Sequence, residues 1–336
     1  MKLTLDPAWL APGFAPSTFS DSPFAELEAE HPYKDVVEAK LPARVTEQPL
    51  ESFAADLVYA VELQLLELEG PIDCLLSGGY DSRIIAALLE RHGRQPRYIT
   101  DGDEEPSCTR TLDYLGVPAS RRYVHDMTAF DPYGLVDATC EGWAPLYMQM
   151  RFMPADVEGR TLVAGLGGGE WFSYPAAGWH TAPPRIPHTS LRNMWADTWP
   201  QYWLIPQAWG RGYLELVQPY TTVRYAQIAT MCRSEWLVEV DPRRALDMVR
   251  KAMLDHLDTN LASLGWEPHR YNWRLSSQAR DMIDARFRSS WLAQRFDLGR
   301  LRPSLMHEDI HACRLGGFAS WCDKLLSDGH EIVVPS

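Results

Sequence analysis

The sequence predicts an α/β fold: a mostly parallel sheet with helices on both faces, continued by a helical C-terminal portion. Three observations predict it. Between residues 50 and 165, apolar runs of strand length alternate with segments whose apolar residues recur at helical spacing. Glycines stand where the helical segments should stop, at Gly70, Gly93 and Gly116. Beyond residue 222 the pattern becomes mainly helical, to about residue 328.

Taken in order, residues 50–68 place Phe53, Leu57, Val58, Val61, Leu65 and Leu66 on one side of a helix. "PIDCLL" (71–76) has the length and apolar character of a buried strand, and "SRIIAALLERHG" follows as a helix with Ile84, Ile85, Leu88 and Leu89 together. "PRYIT" (96–100), "EEPSCTRTLDYLG" (104–116) and "RRYVH" (121–125) repeat strand, helix and strand. Residues 144–154 read as helical, "RTLVAG" (160–165) as a further strand, and "EIVVP" near the end as a short one. Strands alternating with helices imply parallel pairing, because a parallel neighbour needs a crossover. The resulting layout is an irregular proline-rich arm over residues 1–45, an α/β core over 46–180, and an aromatic-rich insertion with a helical portion over 181–336.

Composition removes several function classes. A net charge of −13 argues against a nucleic-acid partner, which requires clustered Lys and Arg at phosphates. Lysine occurs only at 2, 34, 40, 251 and 324, which leaves few candidates for a catalytic amine. The six cysteines form no C-x-x-C pair, so zinc-ribbon and thioredoxin-like sites are not expected; His311 and Cys313 lack a second ligand pair. No apolar run is long enough to span a bilayer and the N-terminal segment does not read as a signal peptide, so no membrane partner and a cytoplasmic location are expected. Seven tryptophans between Trp143 and Trp209 suit either a ligand cleft or core and interface packing. His125, His180 and His188 are acid–base candidates by residue type alone.

The stretch that carries chemistry is "LLSGGYDS", residues 75–82. A strand, a glycine loop and a helix start in succession make an anion site, since unpaired backbone N–H groups and the positive end of the helix dipole face the same way. Gly78 and Gly79 allow close approach of a ligand, and Ser77 and Ser82 add hydroxyls. Asp81 would repel a phosphate unless a cation such as Mg²⁺ lies between them. The spacing is neither that of a Walker A loop nor that of a dinucleotide fingerprint.

"SGGYDS" resembles the PP-loop of the ATP pyrophosphatases, S-G-G-x-D-S. Its surroundings resemble the synthetase domain of asparagine synthetase and its relatives, among them β-lactam synthetase and lasso-peptide cyclases. "TDGDEEP", "DYLGVP" and "GRLRPSLMHEDIHACRLGGF" are similar to segments of that domain, and the resemblance runs from about residue 45 to 320. It implies an adenine nucleotide alpha-hydrolase-like fold. It also implies that Ser77, Gly78, Gly79, Asp81 and Ser82 hold the pyrophosphate of ATP, with Asp81 on Mg²⁺ and backbone near Leu75, Ile99 and Gly165 around the adenosine. The implied reaction joins a small-molecule or peptide carboxylate to an amine through an acyl-adenylate, in specialised (natural-product) metabolism.

The chain departs from that pattern in three places. The family's second metal segment, approximately S-G-E-G-x-D-E, corresponds to "AGLGGGEWFSYP" (164–175), with Gly169 at the metal aspartate and Leu166 at the first glutamate. Either Glu170 reaches the metal with its longer side chain, or the metal site is weakened or lost. With Met1-Lys2 at the start and few residues before the loop, no glutaminase domain is expected, and the amine is expected to arrive free, with the substrate, or from an ammonia-supplying or pathway partner protein. The catalytic lysine implied by the family's tail has Lys324 as its nearest candidate, a position that a solvated surface charge also explains. A divergent, non-catalytic nucleotide-binding or scaffold homologue is the alternative. A tRNA-thiolating PP-loop enzyme fits less well, given the acidic balance and the missing C-x-x-C pairs.

Overall fold

The computed structural model describes residues 1–5, 24, 26, 35–36, 39–42, 44–101, 105–125, 156–168, 171–172, 212–237, 242–264, 281, 284–285, 287–296 and 309–334. Its centre is a five-stranded sheet of β2 (Ile72–Leu75), β3 (Arg97–Asp101), β4 (Arg122–His125), β5 (Thr161–Val163) and β6 (Glu215–Val217), while β1 (Lys2–Thr4) and β7 (Glu331–Val333) pair elsewhere. The spatial order in the large sheet is β4-β3-β2-β5-β6, and every pair is parallel. The α/β class with a parallel sheet is therefore as the sequence predicts.

The helices are α1 (Leu50–Leu66), α2 (Tyr80–Arg91), α3 (Glu105–Tyr114), α4 (Val223–Ala229), α5 (Ser234–Leu237), α6 (Pro242–Leu257), α7 (Thr259–Ser263), α8 (Trp291–Arg295) and α9 (Asp309–Ser327). The helix expected at 144–154 lies outside the described residues. α2 and α3 end as their glycines dictate. Gly93 and Gly116 take positive φ of 63° and 69°, and the residues after them, Arg94 and Val117, donate back to Leu89 and Leu112 at 3.0 and 2.9 Å.

All four residues of β2 are buried, as befits a central parallel strand covered on both faces. α1 buries Phe53, Ala54, Leu57, Val58, Ala60, Val61 and Leu65, and packs against α2, α4 and α6. Each such side chain contributes roughly 1.5–3 kcal/mol of transfer free energy. α6 in turn packs on α1, α2 and α7, so a helix that starts well over a hundred residues after α2 lies beside it. These elements share one core, which reaches Tyr80, Tyr220 and Trp171. Leu75, Ile99, Leu162 and Ala164 form a smaller cluster with Tyr123, Leu166, Tyr213 and Leu216 around it.

A third cluster joins β1 and β7 to α8 and α9 through Leu3, Leu5, Phe24, Leu292, Phe318, Trp321, Cys322 and Ile332. Residues 2–4, inside the arm expected to be irregular, thus form a strand, with Leu3 opposite Ile332 in register. β6 was not expected either.

One polar network sits inside this apolar frame. Asp73 of β2 is fully buried and accepts hydrogen bonds from Arg97 Nε (2.9 Å) and Nη2 (2.6 Å), Arg160 Nε (2.8 Å) and Tyr213 Oη (2.8 Å). Arg97 and Arg160 flank the N-terminal ends of β3 and β5, so one carboxylate ties the three central strands together. Hydrogen bonding to Asp73 raises the Arg97 pKa, and burial beside that carboxylate raises the Tyr213 pKa well above the ordinary tyrosine value.

Candidate functional site

The chain lays down β2, β3 and β4 in one direction and then returns to place β5 and β6 on the other side of β2. In an open parallel sheet, such a reversal leaves a crevice at the carboxyl ends of the two strands that flank it. Here those strands are β2 and β5. The segments that follow them are the two glycine runs, residues 77–79 and 164–168.

Leu76 extends the β2–β3 ladder by donating to the Ile99 carbonyl at 2.9 Å. The chain then turns through Ser77 and Gly78 to Gly79, the extended N-cap of α2, whose side makes no capping hydrogen bond. The N-cap of α2 thus contributes no side-chain hydrogen bond to its first turn, an arrangement that suits an anion at a helix start.

The two serines form the internal lattice of this turn. Ser82 Oγ accepts from Ser77 N at 3.0 Å, lies 3.0 Å from Ser77 Oγ, and donates to the carbonyls of Ser77 and Gly79 at 3.1 and 3.4 Å. Ser77 Oγ accepts from Gly79 N at 3.3 Å. With Ser82 buried, these hydroxyls set the shape of the loop.

The second glycine run presses on the first turn of α2. A Cβ on Gly165 would stand 3.0 Å from Ser82 N and 3.2 Å from Ser82 Cα, and one on Gly168 would stand 2.6 Å from Asp81 Oδ1. Only glycine permits that approach. Leu75 and Ile99 are paired in register and buried in one apolar cluster with Leu162 and Ala164, so the sequence-predicted Leu75, Ile99 and Gly165 do come to neighbouring strand ends.

Sequence reasoning missed the residues that brace the loop from outside. Arg83 is fully buried; its Nη2 donates to Gly78 O at 3.2 Å and its Nη1 to Leu261 O of α7 at 3.4 Å. Burial lowers its pKa from the ordinary arginine value. Arg250 of α6 places Nη1 3.1 Å from Asp81 Oδ2, with both side chains mostly buried. Arg83 and Arg250 both lie over the Tyr80 ring, at 5.6 and 5.9 Å from its centroid. Tyr220 donates from Oη to Asp81 O at 2.7 Å, and Trp171 Nε1 donates to Tyr220 O at 3.2 Å. Burial holds the Tyr220 pKa far above the ordinary value.

Trp171, the described member of the tryptophan belt, is therefore a buried structural residue; the other six lie outside the described residues. Gly169, Glu170, His180 and His188 also lie outside them, as do the side chains of His125 and Asp101. Lys324 extends from α9, where its Nζ donates to Asp328 Oδ2 at 2.8 Å on a half-exposed surface. α9 packs its apolar side into the cluster with β1 and β7, whereas the loop belongs to the central core.

Of the two ligands for the magnesium ion that the resemblance implies, Asp81 is engaged by the protein and Glu170 lies outside the described residues. Asp81 Oδ2 faces a guanidinium, and the Gly168 backbone lies against Oδ1. Mg²⁺ demands a near-octahedral oxygen shell and usually keeps several waters. Among the described residues, no three His, Cys, Asp or Glu side chains come together to hold a metal ion.

Fold and site define a parallel-sheet α/β protein with a glycine loop at its topological switch point. No family model matches the chain, and no curated protein is significantly similar to it. The likeness to the asparagine synthetase domain therefore stands on the motifs alone. Among the described residues, no helix is long and apolar enough to cross a membrane.

Proposed function

We propose that the chain binds ATP at residues 75–82 and acts as an ATP-dependent C–N ligase of the asparagine synthetase-like kind. One observation carries this reading. The S-G-G-Y-D-S loop joins the buried central strand to an uncapped helix start, beside the second glycine run and at the carboxyl ends of the parallel strands. In this reading the loop amides of Gly78 to Asp81 hold the leaving pyrophosphate, and the apolar cluster of Leu75, Ile99 and Ala164 borders the adenosine. A substrate carboxylate oxygen attacks the α-phosphorus, the bond to the bridging oxygen breaks, and pyrophosphate departs. An amine then attacks the acyl carbon and displaces AMP. The protein contributes position and charge neutralisation rather than covalent chemistry.

A second reading, a nucleotide-binding homologue that does not turn over, is favoured by the Asp81–Arg250 contact. Incubation with ATP, a panel of carboxylic acids and an amine separates the two. Matched release of AMP and pyrophosphate that depends on the acid supports the ligase. ATP binding without release across the panel supports the second reading. Failure to bind ATP at all would sink both.

A further inference from the structure

This inference deepens the nucleotide-binding reading above and rests on it. We propose that Arg250 supplies the positive charge at the glycine loop in place of a divalent cation, so that the site takes a nucleoside triphosphate without a metal ion at Asp81. An aspartate in the first turn of a phosphate-binding helix must be offset by a cation, because like charges at such distances repel strongly in a partly buried site. The offsetting group here is Arg250. Arg250 Nη1 stands 3.1 Å from Asp81 Oδ2, and only 15% and 19% of the two side chains is exposed.

Arg250 is also placed by its surroundings. Its helix, α6, packs on α2 and α7, and its guanidinium stacks over Tyr80. Arg83, over the same ring, donates to Gly78 O. Among the described residues, one carboxylate and two guanidinium groups thus lie at the loop. A guanidinium carries five N–H donors in a fixed fork that matches phosphate oxygens, so it can serve a carboxylate and a phosphate together. A magnesium ion at Asp81 would instead have to displace Arg250 from Oδ2 while the Gly168 backbone occupies the side of Oδ1.

Calorimetric titration of ATP into the full chain, once in EDTA and once in excess magnesium, tests the proposal. Wild-type protein is expected to bind ATP in EDTA, with no tightening by magnesium. Arg250→Gln should weaken binding in EDTA about tenfold or more, the loss of a charge-assisted hydrogen bond, and Arg250→Lys should weaken it less. Asp81→Asn keeps an oxygen for Arg250 while removing the repulsive charge, so it should tighten binding. That variant keeps the proposal falsifiable even if Arg250→Gln fails to fold. Binding that requires magnesium, or is lost in Asp81→Asn, overturns the role of Arg250 and leaves the nucleotide reading standing. Wild-type affinity in EDTA for a folded Arg250→Gln variant does the same. No binding by wild-type protein in either condition overturns both.

Discussion

Replacing Asp73 by alanine removes the acceptor for four donor contacts from three neighbouring side chains. Breaking a buried ion pair by deleting one partner costs about 3–5 kcal/mol, chiefly because the other charge stays behind unpaired. Two features set the value here towards the lower end, about 3 kcal/mol. Arg97 and Arg160 retain about a fifth of their side-chain exposure, and Arg97 keeps Asp156 as a partner at 2.8 Å. Against a total stability of about 5–15 kcal/mol for a typical domain, that is a large fraction. Urea denaturation followed by circular dichroism at neutral pH reads it directly, as a fall in the midpoint at constant slope. A loss below about 1 kcal/mol would refute the reasoning, because it would mean that desolvation of these charges cancels their attraction.

Other outcomes are expected from features on the same sheet. Gly168→Ala drives a Cβ to within 2.6 Å of Asp81 Oδ1, so it should cost about 1–3 kcal/mol in urea melts and weaken ATP binding measured by calorimetry. Gln218, 6% exposed, buries both amide atoms without a hydrogen-bond partner among the described residues; Gln218→Leu should therefore raise the thermal midpoint, equivalent to about 1 kcal/mol or more. Burial pushes the Cys232 thiol up to about 12 from 9.0. A raised folded value means that its contribution is intact below the unfolded value and lost as pH rises between the two. Stability should then fall by about 1.4 kcal/mol per pH unit for this group, and Cys232→Ala should flatten the alkaline limb of a pH–stability profile.

The sequence carried the alternation of strands and helices because each buried segment leaves its own local trace. Leu75 and Leu76 close a strand, Ile84 to Leu89 follow a helical period, and Gly93 and Gly116 mark stops. β6 left little trace. Its three residues, Glu215–Val217, lie at a sheet edge, the first exposed and the other two half-buried, so no alternation or apolar run betrays them. The strand at residues 2–4 is defined by its partner at 331–333, and no local pattern encodes a partner that remote. Asp73 sits in a run that reads as apolar, yet it is a fully buried carboxylate, because the charges that pair with it come from other strands. The site divided in the same way. The loop was legible as a motif, whereas the Asp81–Arg250 contact spans 169 positions of chain and has no signature in either segment.

Residues 165 and 168 approach the first turn of α2 with glycine main chain, Gly165 against the backbone of Ser82 and Gly168 against the side chain of Asp81. The specification of that approach consists of atoms that are missing, a Cβ at Gly165 and another at Gly168. Scanning mutagenesis that trims side chains passes over Gly165 and Gly168, and the addition of a methyl group tests them.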